Sequence, residues 1–221
     1  MCFPIRRNQR LRGGPMVDKG SLMPIRSLFV TRLYEGAVEN QRMLADLAHS
    51  IRSLAADDTA GRKWSREHLY PGYTSYASLN DLPKRDPAFA ELARLLTRHA
   101  TAFAKDCAFD LPRKPRFDSL WVNLLKGGGQ HSGHIHPHSI ISGSLYVEAP
   151  ENSGLIRFED PRLPLMMAAP ARRADAPEDL RTFVSIEPRP GLLLLWESWL
   201  RHEVLAGRSR AERLSVSFNF A

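Results

Sequence analysis

The sequence has few of the features that define special classes of protein. Its 221 residues include only two cysteines, which excludes a disulfide scaffold. No apolar run approaches the roughly 18 residues of a membrane span. An apolar fraction of 43% and a charged fraction of 25% exclude a collagen-like or wholly disordered chain. A chain of this length can bury a core without a metal or a disulfide, so we expect one folded domain.

The first residues of the chain resemble a polar leader. Residues 1–20 contain five basic residues and one acidic residue, a large share of the net charge of +7. Such an arm can contact phosphates, but a disordered leader over residues 1–24 is the simpler interpretation, and nucleic acid is not an expected partner. Cys2 and Cys107 lie far apart, and no secretory signal is visible. We therefore expect free thiols, a cytoplasmic location and no membrane partner.

Hydrophobic periodicity predicts one domain over residues 25–221, with a helical first part (25–116) and a strand-rich second part (117–221). In the first part the pattern predicts a strand over 28–34, a helix over 37–54, a loop over 61–83, and a helix from Pro87 to about Ala108 with Asp86 as its N-cap. In the second part it predicts short strands near 117–125, 139–148, 154–159, 181–187, 191–197, 202–206 and 212–220. Helices followed by short strands indicate an α+β domain with a β-sandwich or small barrel.

Four of the eight histidines lie within eight residues, at positions 131, 134, 136 and 138. Because side chains alternate along an extended segment, His134 and His136 point to the same side and can share a metal. His131 is a less favoured ligand, and His138 follows Pro137, which interrupts a regular strand. The alternative is a histidine-rich surface loop without a function.

A third ligand is expected from a distant strand. His202 is the only histidine after position 138, and it begins an extended segment, although a histidine that merely ends a strand is the plainer interpretation. Residues 213–220 alternate strictly, with Leu214, Val216, Phe218 and Phe220 on one face and Arg213, Ser215, Ser217 and Asn219 on the other. If the apolar face packs on the helices, the polar face lines a cavity. Arg213 and Ser215 near a metal would form a good clamp for a carboxylate.

These motifs, taken in order, resemble the 2-oxoglutarate/Fe(II)-dependent oxygenase superfamily, and most closely its bacterial and phage branch, whose substrates are mostly unassigned. The resemblance covers residues 117–221 well and residues 25–116 more loosely. The motifs are His134-x-His136-Pro137, Ser142-Gly143-x-x-Tyr146, Pro188-x-x-Gly191, Ser198-Trp199-Leu200-Arg201-His202 and Arg213-x-Ser215.

The resemblance implies a double-stranded β-helix, or jelly-roll, of the cupin-like kind, with helices packed outside. It also implies that His134 and His202 are the two iron-binding histidines. Arg213 and Ser215 match the pair that holds the distal carboxylate of 2-oxoglutarate. Tyr146 lies on a strand that commonly contributes a hydrogen bond to this cosubstrate.

The chain departs from the superfamily pattern at His136, which occupies the position of an aspartate or glutamate ligand. Three neutral imidazoles leave the metal site one negative charge short, which should weaken Fe(II) retention. Imidazole remains a competent iron ligand, and so we predict His134, His136 and His202 as the metal ligands. Asp160 or Glu159 is an alternative source of a carboxylate.

The leading hypothesis is a dioxygenase that uses Fe(II), O₂ and 2-oxoglutarate to hydroxylate a small molecule or a protein side chain. A cupin-like three-histidine metalloenzyme that does not use 2-oxoglutarate is the main alternative, although such an enzyme needs no clamp for a dicarboxylate. A non-catalytic binding module is the other alternative.

Residues 161–179 have no clear period and are interpreted as an insertion or a lid. Nearby arginines could attract an anionic substrate or be solvated surface charges: Arg157, Arg162, Arg172 and Arg173.

Overall fold

The computed structural model describes residues 25–221, and the predicted leader therefore lies outside the described residues. Residues 31–221 form one compact unit. Its helices are α1 (Gln41–Asp57), α2 (Thr59–Glu67) and α3 (Pro87–Asp106). Its strands are β1 (Leu33–Ala37), β2 (Gly72–Thr74), β3 (Phe117–Leu125), β4 (His131–His134), β5 (Ile141–Glu148), β6 (Ile156–Glu159), β7 (Phe183–Ile186), β8 (Leu192–Glu197), β9 (His202–Val204) and β10 (Arg213–Phe220). Within residues 25–221 no helix is both long enough and apolar enough to cross a membrane.

The strands form two antiparallel sheets, as the prediction of a jelly-roll, or double-stranded β-helix, requires. The larger sheet has the order β1-β8-β5-β10-β3-β2, and the smaller sheet has the order β4-β9-β6-β7. Both edge strands of the larger sheet, β1 and β2, come from the part of the chain that was predicted to be helical. The division into a leader over residues 1–24 and a domain over residues 25–221 stays a prediction.

Strand β8 shows how the sheets and helices share the core. Leu193 and Leu195 point to the cluster that contains the buried faces of α1 and α3. Leu192, Leu194 and Trp196 point to a second cluster, which includes Ile156 and Phe158 of the smaller sheet. The strand is buried on both faces, which explains its continuous apolar sequence.

The helix α3 and most strands of the second part are confirmed close to their predicted limits. Asp86 is the N-cap of α3, and its carboxylate accepts a hydrogen bond from the N–H of Ala88 at 2.8 Å. Pro87 occupies the first turn, where its missing N–H costs nothing. The first helix was predicted over 37–54 but spans Gln41–Asp57, because Asn40 caps it by accepting from the N–H of Met43.

Two predictions in the first part are wrong. The first strand lies at Leu33–Ala37 and not at 28–34, because its register is set by pairing with β8 rather than by its own apolar residues. The predicted loop over 61–83 contains most of α2 and all of β2. Helix α2 buries only Gly61 and Ser65, so it has no apolar stripe from which a helix could be recognised.

Candidate metal centre

The three histidines predicted to bind a metal lie together. His134 ends β4 and His202 begins β9, and the two residues are directly paired in the register of these antiparallel strands. His136 lies two residues beyond β4, where its backbone N–H donates to the carbonyl of Ser198 at 3.0 Å. One ring nitrogen of each histidine lies within 4.8 Å of those of the other two. This spacing suits three ligands around a single ion.

Hydrogen bonds fix the protonation pattern of His134 and His202. The Nδ1 atom of His134 lies 2.8 Å from the carbonyl oxygen of Ser132, and that of His202 lies 2.9 Å from the carbonyl oxygen of Leu200. A carbonyl can only accept, so each Nδ1 carries the proton and donates it. The Nε2 atom of each ring is then left with a free lone pair, which is the form that binds a metal.

His136 has a different kind of partner. Its Nδ1 lies 2.7 Å from Oδ1 of Asn219 on β10 and 2.9 Å from Oγ of Ser142 on β5. The Ser142 hydroxyl also lies 2.8 Å from that same Oδ1 atom and 2.8 Å from Oγ of Ser198. A polar network from three parts of the chain thus surrounds the histidine that takes the place of the usual carboxylate.

Burial keeps the three imidazoles neutral. It lowers the pKa of His134 and of His136, and it lowers the pKa of His202 to about 3. His202 is only 5% exposed, and its ring packs on the indole of Trp196 with a centroid separation of 4.7 Å. The neighbouring imidazoles add to the effect on His202, because protonation of one ring disfavours protonation of the next. All three rings are ready to bind a divalent cation at neutral pH.

No carboxylate joins this group within residues 25–221, where the three histidines are the only convergent set of potential metal ligands. Asp160 is engaged with Arg162 at 2.8 Å, and Glu159 is engaged with Arg201 at 3.2 Å. The alternative that either residue supplies a carboxylate ligand therefore has no support in the geometry.

The other two histidines of the cluster lie outside the convergent set. The ring centroid of His131 is 4.5 Å from that of His134, but its nitrogens do not converge with the others. His138 is exposed and has a positive φ of 73°, which ends the extended segment. Both positions agree with the prediction that they are less favoured ligands.

The predicted carboxylate clamp lies on the buried polar face of β10. Arg213 is 5% exposed, and its guanidinium carbon lies 5.4 Å from the centre of the Tyr146 ring. Ser215 is 4% exposed and is paired with Tyr146 across β5 and with Asn123 across β3. The structure thus brings Arg213, Ser215 and Tyr146 together as predicted.

Arg213 is a buried cation without an anionic partner. Its Nη1 donates to the carbonyl of Gly154 at 3.2 Å, whereas its buried Nε has no partner. None of the ion pairs among residues 25–221 includes Arg213. An unpaired buried charge is costly, so the site is suited to an anionic ligand that supplies the missing charge.

Sequence reasoning missed several polar and aromatic residues of the site. The amide of Asn123 bridges Thr74, Tyr70 and Ser217, and burial raises the pKa of Tyr70. Trp121 contacts the ring of His136, with a centroid separation of 5.7 Å. The alternation of β3 holds a usable signal, because Ser119, Trp121 and Asn123 share one face of this strand.

Most of the arginines considered for an anionic substrate are already paired. Arg157 contacts Glu203 at 2.5 Å, Arg162 contacts Asp160, and Arg173 contacts Asp175 at 2.7 Å. The segment 161–179 includes a short 3₁₀ turn, Leu163–Leu165, and a second turn begins at Glu178. Its role as a lid or an insertion stays a prediction.

Part of the chain that includes these residues matches a known protein family. Residues 119–219 match the family described as "Putative 2OG-Fe(II) oxygenase". The predicted resemblance to 2-oxoglutarate/Fe(II)-dependent oxygenases is confirmed. The matched stretch contains all six predicted site residues, which are His134, His136, Tyr146, His202, Arg213 and Ser215. The predicted cofactors, Fe(II) and 2-oxoglutarate, are those that the description of this oxygenase family names.

Several solved structures share the fold. A prolyl-4-hydroxylase from Pseudomonas putida is 18% identical with a TM-score of 0.58, over 86% of this chain and 92% of its own. HygX from Streptomyces hygroscopicus, solved with nickel and 2-oxoglutarate bound, is 14% identical with a TM-score of 0.56, over 87% of this chain and 82% of its own. The epimerase SnoN, solved with Fe³⁺, α-ketoglutarate and nogalamycin RO, is 15% identical with a TM-score of 0.59, over 86% of this chain and 78% of its own. No curated protein matches the chain significantly.

Proposed function

We propose that the protein is an Fe(II)- and 2-oxoglutarate-dependent dioxygenase that hydroxylates its substrate. One observation carries the proposal. Three neutral histidines converge within 4.8 Å in a domain whose buried Arg213 lacks an anion, and both features lie on the part of the chain that matches the oxygenase family. A metal alone would leave the arginine without a partner, and a dicarboxylate alone would leave the histidines without one.

The residues present fit a ferrous ion. Imidazole nitrogen suits iron, and three protein ligands leave positions for other ligands. His134, His136 and His202 would hold the ion through their Nε2 atoms, because Nδ1 is engaged in a hydrogen bond in each ring. Bound Fe(II) supplies the activation of O₂ that couples decarboxylation of 2-oxoglutarate to oxidation of the substrate.

The chain itself binds and orients the cosubstrate. The guanidinium of Arg213 has an unpaired Nε and would pair with the distal carboxylate of 2-oxoglutarate, and the Ser215 hydroxyl would donate a second hydrogen bond. Tyr146 is buried beside both residues, where its hydroxyl would donate a further hydrogen bond to the cosubstrate. Burial excludes water from the pair and so strengthens it. Because the arginine is in place before the ligand arrives, little reorganisation is needed on binding.

His136 is the position that separates this site from the usual two-histidine, one-carboxylate arrangement, and it gives a prediction. His136→Asp should raise Fe(II) affinity, because a hard anionic oxygen suits Fe(II) and offsets part of its charge. His136→Ala should lower the affinity, since only two ligands remain. The affinity is measured by anaerobic competition with a chromogenic chelator.

His138→Asp is the matched control for this prediction. It adds the same charge two residues farther along, at an exposed histidine outside the convergent set. Its Fe(II) affinity should equal that of the wild type. If both His136 variants also bind iron with wild-type affinity, His136 is not a ligand.

The function is tested by the release of succinate from 2-oxoglutarate, measured with and without Fe(II). Iron-dependent succinate formation that is lost in His202→Ala supports the dioxygenase. A protein that binds iron in the same site but neither binds nor consumes 2-oxoglutarate supports the three-histidine metalloenzyme. Absence of both metal binding and turnover supports a non-catalytic binding module.

A further inference from the structure

Asn219 has no part in the proposed function, yet it lies at the centre of a buried polar network. It is 9% exposed and is paired with Ser142 on β5 and Ser119 on β3 in the register of the larger sheet. Its Oδ1 lies within hydrogen-bond distance of His136 and Ser142, and its Nδ2 donates to Oγ of Ser119 at 3.3 Å. Both ends of the amide are thus engaged.

The three histidines differ in how their rings are held. His134 and His202 each bond to the backbone carbonyl two residues earlier, a local contact that the extended chain itself supplies. His136 makes no such contact, and its Nδ1 instead faces two side chains, with Oδ1 of Asn219 at 2.7 Å and Oγ of Ser142 at 2.9 Å. The orientation and tautomer of His136 therefore depend on side chains, of which Asn219 is the nearer, whereas those of the other two histidines depend on the backbone.

We propose that Asn219 is a positioning residue for the metal site: its Oδ1 accepts the Nδ1 proton of His136 and so presents Nε2 of that ring to the ion. The inference rests on the proposed function and deepens it. With the amide oxygen facing His136, the Ser142 hydroxyl donates to the same Oδ1 and Ser119 accepts from Nδ2, so every polar atom of the amide has a partner in this orientation. The reverse orientation would aim an N–H at Nδ1, move the proton to Nε2 and disable the ligand.

Because the side chain of Asn219 is a neutral amide, it adds no negative charge to the metal site. Metal-binding histidines commonly donate to a carboxylate, which raises the basicity of the ligand. Here the Nδ1 partners of the three rings are two backbone carbonyls, one amide and one hydroxyl, so neither the ligands nor their partners carry a negative charge. A change of charge at residue 219 is therefore expected to alter the metal affinity while the three ligands stay the same.

The inference is tested on the full chain with Co(II), a spectroscopic substitute for Fe(II) that needs no turnover. Asn219→Leu removes the acceptor and should weaken Co(II) binding about 10–100-fold, the range typical of outer hydrogen-bond partners. Asn219→Asp keeps an acceptor at the same place and should bind Co(II) at least as tightly as the wild type at pH 8. His138→Asn, at an exposed histidine outside the convergent set, should stay within about twofold of the wild type.

A double-mutant cycle separates positioning from general structure. In a His136→Ala background, Asn219→Leu should cause no further loss of affinity, because the residue it positions is gone. An equal loss in both backgrounds would show that Asn219 acts through the fold and would overturn the inference. Wild-type protein that binds no Co(II) at the histidines would instead overturn the proposed function.

The tautomer gives a measurement that does not depend on any variant that replaces Asn219. Nitrogen-15 NMR of the metal-free wild type should show the proton of His136 on Nδ1, with the His136→Ala spectrum used to assign the signal. A proton on Nε2 would contradict the inference even if every Asn219 variant failed to fold.

Discussion

His202→Ala is expected to abolish stoichiometric metal binding. His202 is the most buried of the three histidines, and its Nδ1 is fixed by the carbonyl of Leu200, so its Nε2 is held in one place. Two ligands hold a labile divalent ion poorly. The loss should exceed the roughly 10–100-fold expected when only an outer partner is removed.

Metal content after reconstitution with Fe(II) or Co(II), measured by mass spectrometry, checks this result. His131→Ala is the matched control, because its ring lies beside His134 but outside the convergent set. It should keep about one ion per chain. Full occupancy in His202→Ala, in protein with a wild-type circular dichroism spectrum, would place the metal elsewhere.

Arg213→Ala is expected to abolish binding of 2-oxoglutarate while metal binding remains nearly intact. A charge-assisted hydrogen bond contributes about 1.5–3 kcal/mol, which corresponds to roughly 10–150-fold in affinity, and a buried carboxylate left without a partner costs more. Anaerobic titration of the Ni(II)-loaded protein with 2-oxoglutarate measures the change. Arg213→Lys keeps the charge but lacks the planar fork, so it should retain part of the affinity.

The free energy of unfolding of Arg213→Ala distinguishes an arginine that binds a ligand from one that stabilises the fold. Arg213 makes a single hydrogen bond to a backbone carbonyl and no ion pair. Removing a buried, unpaired cation should leave the free energy of unfolding of the ligand-free protein unchanged or higher. A large loss of stability, with unchanged affinity for 2-oxoglutarate, would show that the arginine serves the fold instead.

The sequence predicted those parts of the fold whose signal is local. Helix α3 combines an N-cap, a proline in its first turn and an apolar stripe, and each of these is visible within one segment. The strict alternation of β10 likewise identified the face that carries Arg213 and Ser215. His134 and His136 could be predicted as metal ligands because residues two positions apart on a strand point to the same side. His202 could be predicted as the third ligand because it is the only histidine after position 138.

The remaining features depend on contacts between distant parts of the chain. Helix α2 is short and polar and is held by the capping carboxylate of Asp58, and its buried face consists of Gly61 and Ser65 rather than large apolar residues. Strand β1 takes its limits from β8, more than 150 positions away. Asn219 appeared only as one polar residue of an alternating strand, because no local pattern indicates that its partner is His136.

The most direct test of the account is the anaerobic addition of 2-oxoglutarate to the Fe(II)-loaded protein, followed by visible absorption. Chelation of Fe(II) by the keto and carboxylate oxygens of a 2-oxo acid produces a charge-transfer band that neither component shows alone. The account predicts such a band at one equivalent of each ligand, and its loss in His202→Ala. Stoichiometric Fe(II) binding at the three histidines, with no band at saturating 2-oxoglutarate, would contradict it.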